Sequence, residues 1–97
     1  MPLHEDTSPL EMARRATCKA EFIAALSKLR KASGLSYSQI ELKTDHRYRV
    51  SSSTAQRLCT EQLPKHEVQL RAFLMACDVS AEAIADWVKE WQRLLFS

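Results

Sequence analysis

Apolar positions recur along this chain at spacings of three and four, the period of helices packed by one face, and no window sustains the two-residue alternation of a strand. Ser8, Pro9 and Glu11 combine a capping hydroxyl, a proline at the first helical position and a carboxylate at the third, which predicts a short helix from about Pro9 to Arg15. Thr17 is the candidate cap of the next helix, in which Phe22, Ile23, Leu26, Leu29 and Arg30 repeat over roughly Lys19 to Ala32. Gly34 then supplies the left-handed conformation that ends a helix, and Lys28, Arg30 and Lys31 suit the negative end of its dipole. Ser36 followed by Gln39 is a capping box, opening a two-turn helix that ends near Lys43 or Thr44 with Ile40 and Leu42 on its buried side.

Ser51 caps a further helix, with Val50, Ala55 and Leu58 toward the core and Ser52, Ser53, Gln56 and Arg57 outward. Leu63 and Pro64 interrupt the pattern, and Pro64 at a first helical position starts a largely apolar helix carrying Val68, Leu70, Phe73, Leu74 and Cys77. After a short connection from Asp78, Ser80 caps a final helix striped by Ile84, Trp87, Val88, Trp91, Leu94 and Leu95. Its two indoles are expected to anchor it against the helix of Phe22 and that of Phe73.

Composition agrees with an all-α fold: one Gly and three Pro leave little material for the frequent tight turns of a β protein. Ninety-seven residues suffice for one domain, so residues 1–8 read as a flexible tail and 9–97 as a single folded unit. The net charge of +2 is unevenly spread, at about −1 for residues 1–16, +5 for 17–66 and −2 for 67–97, so basicity collects in the middle. Cys18, Cys59 and Cys77 lack C-x-x-C spacing and accompany neither a secretion signal nor a long apolar segment, which predicts a cytoplasmic protein with reduced thiols and no membrane span. No metal or other cofactor is expected, because the cysteines and His4, His46 and His66 are scattered outside zinc spacings. Catalysis is not expected either: the chain has no glycine-rich phosphate loop, H-E-x-x-H or nucleophile elbow.

The ordered set AEFIAALSKLRKASGLS, YSQIELKT, VSSSTAQRL, the leucine–proline step, VQLRAFLMAC and the terminal W-x-x-x-W helix resembles the Xre family of helix-turn-helix proteins, the Cro and phage-repressor type, and more narrowly its actinobacterial branch. The resemblance covers about residues 19 to 95. It implies a compact, lambda-repressor-like bundle of about five helices, here with a short extra N-terminal helix, that binds duplex DNA as a dimer on a two-fold site and regulates transcription, as a repressor in the leading reading. One departure stands out. Where family members make the turn between the two helices with one glycine, this chain places five residues, Asp45 to Arg49. Two readings stay open there: a lengthened solvated loop, or a loop whose Arg47, Tyr48 and Arg49 reach phosphates.

The candidate DNA-binding residues follow from this placement. Ser52, Ser53 and Thr54 at the start of the reader helix permit close approach of its backbone to DNA, and Gln56 and Arg57 offer paired donors and acceptors to base edges. Arg47, Arg49 and Lys65 are candidate phosphate contacts, and Tyr37 and Ser38 match positions that in this family touch the backbone, although Tyr37 also suits packing over the preceding helix. Leu94, Leu95 and Phe96 extend the apolar stripe to the end of the last helix and suggest a homodimer contact. The competing reading keeps the fold but makes it a helical module that binds a protein, and a protein co-regulator fits either.

Overall fold

The computed structural model describes residues 8–44 and 49–96. Its six helices are α1 (Pro9–Arg15), α2 (Lys19–Ser33), α3 (Tyr37–Lys43), α4 (Ser52–Thr60), α5 (Glu67–Ala76) and α6 (Ala81–Leu95), and no strand occurs among the described residues. The all-α expectation therefore holds. The expected flexibility of the tail concerns residues 1–7, which lie outside the described residues; Ser8 belongs instead to α1, accepting the Glu11 N–H at 3.1 Å.

Most helix ends follow local chemistry. Ser36 and Gln39 form the reciprocal capping box of α3, at 3.1 and 2.8 Å, while Ser51 and Ser80 accept the amides of Thr54 and Ala83, both at 3.2 Å. Gly34 closes α2 at φ 75°. Asp78 does the same after α5 at φ 62°, where its N–H bonds Met75 O and the Val79 N–H bonds Leu74 O, the paired Schellman pattern. Aspartate tolerates the left-handed region better than most side chains, and here its carboxylate also receives Lys43 Nζ at 3.1 Å.

Two helix starts differ from expectation. Cys18, not Thr17, is the N-cap of α2 and makes no side-chain cap bond. Thr17 instead donates its backbone N–H and its hydroxyl to Glu21 Oε1, at 2.6 and 2.9 Å, so the carboxylate ties the chain entering α2. Pro64 does not open α5, which begins at Glu67 after His66. Pro64 is buried in the connection, and its carbonyl accepts the Trp91 indole N–H at 2.8 Å, satisfying a donor that the core would otherwise strand.

Around a core led by Phe22, Leu26, Leu70, Phe73, Leu74 and Trp87, α1 packs on α2 and α6, α2 on α4, α3 on α4 and α5, and α5 on α6. The Phe22 and Trp87 rings meet edge to face at a centroid distance of 5.7 Å. Arg14 pairs with Asp86 at 3.0 Å and Arg93 donates to the carbonyls of Ala13 and Arg14, both at 3.3 Å, which locks the short α1 onto α6. Three apolar assignments reverse. Leu42 is 81% exposed and Val68 is also exposed, whereas Leu94, expected at a dimer contact, is buried. No helix among the described residues is long and apolar enough to cross a membrane.

Arg30 is a half-buried cation. Its guanidinium donates to Leu35 O at 2.8 Å and lies 4.6 Å from the centre of the Tyr37 ring. Burial pushes the Cys59 thiol up to about 11 and raises that of Cys77, and in both cases the nearby Arg30 opposes the rise. This arginine thus joins α2 to the start of α3. Replacing Arg30 by Ala is expected to lower stability by about 2–3 kcal/mol, the sum of a charged hydrogen bond and a cation–π contact. Chemical denaturation checks this, and Arg30→Lys should recover less than half, because an ammonium cannot both stack and reach the carbonyl.

Glu21 generates a pH dependence. The Thr17 backbone N–H, then the Thr17 hydroxyl and the Cys18 amide, hold its carboxyl below the ordinary value of 4.5. A carboxylate depressed on folding stabilises above its unfolded pKa, and that contribution is lost as pH falls through the folded one. Glu21→Gln should therefore flatten the acid limb of the stability profile below about pH 4.5 and leave its slope at neutral pH unchanged, as followed by thermal melts across pH.

Candidate functional site

The polar side of α4 is the best-defined candidate surface. Ala55, Leu58 and Cys59 are buried against the interior, so helical geometry turns Ser53, Gln56, Arg57 and Thr60 to the opposite side, and all four are exposed. No hydrogen bond among the described residues engages the side chains of Ser53, Gln56 or Arg57. The Thr60 hydroxyl, which the sequence reading did not include, donates to Gln56 O at 2.7 Å and keeps its oxygen at the surface.

Other candidates lie elsewhere. Ser52 and Thr54 are half-buried and serve the helix start: the Ser52 amide is bound from α3, and Thr54 receives the Ser51 hydroxyl at 3.0 Å. Tyr37 lies beneath the Arg30 guanidinium, which favours packing over backbone contact, while Ser38 is exposed on the side of α3 away from Ile40. Lys65 is exposed just beyond α4, its backbone N–H donating to Gln69 Oε1 at 3.0 Å. Arg49 is exposed and faces Glu41 Oε2 at 3.8 Å. Arg47 and Tyr48 lie outside the described residues.

Glu41 is the functional candidate that the sequence reading missed. Its other oxygen, Oε1, accepts the Ser52 N–H at 2.8 Å, so one carboxylate spans from α3 to the first turn of α4 and to Arg49. A signal existed: a carboxylate in the last turn of a short helix opposes that helix's dipole and needs another reason to be there. The stretch between the helices is closed by a second tie, in which the buried Val50 N–H donates to Thr44 Oγ1 at 3.2 Å while the Thr44 hydroxyl donates back to Glu41 O at 2.7 Å.

The described residues contain no group of three or more His, Cys, Asp or Glu side chains able to hold a metal ion. Cys59 and Cys77 are free and buried, and Cys18 is free and exposed. No family model, curated protein or solved structure matches this chain.

Proposed function

We propose that the chain is a sequence-specific DNA-binding regulator of transcription, most simply a repressor, in which α3 and α4 act as a helix-turn-helix and α4 enters the major groove. The observation that carries the reading is the side of α4 formed by Ser53, Gln56, Arg57 and Thr60: exposed, polar, with the side chains of the first three unengaged, and mounted on a helix whose other side is held in the core. Small hydroxyls let the backbone approach, and Gln56 and Arg57 carry the bidentate donor and acceptor sets that distinguish adenine and guanine. Arg49 and Lys65, with Arg47, supply sequence-independent affinity through phosphates.

A second reading, a helical module that binds a protein, is favoured by one specific observation. Leu42 on α3 and Val68 and Met75 on α5, two helices that pack together, are large apolar side chains left exposed. Selection from pooled random DNA at several salt concentrations separates the two. DNA binding predicts one enriched motif and a log–log salt slope of roughly −3 for three phosphate contacts. Gln56→Ala or Arg57→Ala should then erase preference at a base position, by about 1–3 kcal/mol of discrimination. Absence of enrichment at low salt would overturn the DNA reading in favour of the protein module.

With Leu94 buried, any homodimer contact at the end of α6 falls to Leu95 and Phe96, the latter 80% exposed. Sedimentation equilibrium should show a mass that rises with concentration and returns to the monomer value in Phe96→Asp. A concentration-independent monomer mass in the unaltered chain would remove α6 as the dimer contact.

A further inference from the structure

Helices α3 and α4 are short, at 7 and 9 residues, and neither is stable by itself in water, so their mutual direction depends on what ties them together. Residues 44–51 connect them. Beside the packing of both helices into the core, a pair of side-chain ties restricts them: Val50 N–H to the Thr44 hydroxyl and Ser52 N–H to the Glu41 carboxylate. The second is charge-assisted, and the side chain that makes it is only 31% exposed, so water competes with it weakly. The carboxylate also sits at the positive end of the α4 dipole, which offsets its unfavourable place near the negative end of α3.

We propose that Glu41 is a positioning residue: by seating its carboxylate on the first amide of α4, it fixes the direction in which Ser53, Gln56 and Arg57 are presented and thereby determines which bases the chain selects. The consequence for base choice rests on the DNA-binding reading; the positioning itself does not. A second consequence concerns phosphate. The first amide of α4 is already occupied by an internal anion, so a DNA phosphate does not use that helix end, and Arg49, drawn toward Glu41, is partly neutralised before DNA arrives.

The test compares Glu41→Ala, which removes the acceptor, with Glu41→Gln, which keeps an acceptor of the same shape without the charge. Two measurements are made on each in the full chain: the orientation of α3 relative to α4 from amide residual dipolar couplings, and the motif selected from random DNA. Glu41→Ala should change the interhelix orientation and lower the ratio of specific to non-specific affinity at least about tenfold, with helix content retained. Glu41→Gln should preserve both the orientation and the motif. It should also bind non-specific DNA more tightly at an unchanged salt slope, because Arg49 no longer gives up an internal partner when it meets a phosphate. If Glu41→Ala does not fold, Glu41→Asp, one methylene shorter, replaces it with the same expectation for orientation. An unchanged orientation in the folded variant overturns the positioning role, whereas a changed orientation in a chain that selects no DNA sequence upholds it and rejects the DNA-binding reading instead.

Discussion

One guanidinium, that of Arg30, is the constraint around which the middle of this protein is arranged. Three helices meet at it: it extends from α2, bonds the Leu35 carbonyl just before α3, stacks on Tyr37 at the start of α3, and lies near the thiol of Cys59 in α4. Its Nε is buried without a hydrogen-bond partner among the described residues, so the site is held by stacking and by a single strong bond more than by saturation of every donor. A charge in this position cannot be moved without exposing an apolar seam or stranding a cation. It sits where the C-terminal half of α2 meets α4, whose buried side is formed by its own Ala55, Leu58 and Cys59. The polar side of α4 follows as the remainder.

Helix starts were legible because their chemistry is local. Ser8, Ser36, Ser51 and Ser80 each accept an amide three residues on, an arrangement that depends on nothing beyond one helical turn. Interior and exterior were less legible, and the misassigned residues show why. Leu42 is only two positions from the buried Ile40 in a 7-residue helix, and a two-residue step turns a side chain by about 200°, so both cannot share the packed side. Pro64 has a fixed φ that suits a helix start equally well as a buried connection. What decided between them was Trp91, distant in sequence, whose indole N–H needed the Pro64 carbonyl. Thr17 had the composition of a cap, but Glu21 offered its amide a stronger, charged acceptor.

The candidate site divides along the same line. Ser53, Gln56 and Arg57 could be read from the period of α4, since its buried residues are spaced as sequence alone implies. Tyr37 and Ser52 were chosen for their chemistry, yet each is engaged by a neighbour that only the tertiary structure supplies, Arg30 and Glu41, while the Thr54 hydroxyl is taken locally by Ser51. Polar residues near a helix start have two uses, one internal and one external, and sequence does not apportion them. The partner of Glu41 was hidden for the converse reason. It lies eleven residues away, beyond the reach of any helical period.

That distance also explains how a long connection is compatible with a defined surface. The entropy of closing a flexible loop grows only logarithmically, about 0.6 kcal/mol for each doubling of its length, so extending a turn from one residue to several costs on the order of 1 kcal/mol. Against this stand a buried neutral hydrogen bond from Val50 to Thr44, worth about 0.5–1.5 kcal/mol net, and a charge-assisted one from Ser52 to Glu41, worth about 1.5–3. The ties outweigh the loop. The direction of α4 is therefore governed by residues within or beside the helices, and the residues of the connection are released from that duty. The polar side of α4 stays where Glu41 and the core put it.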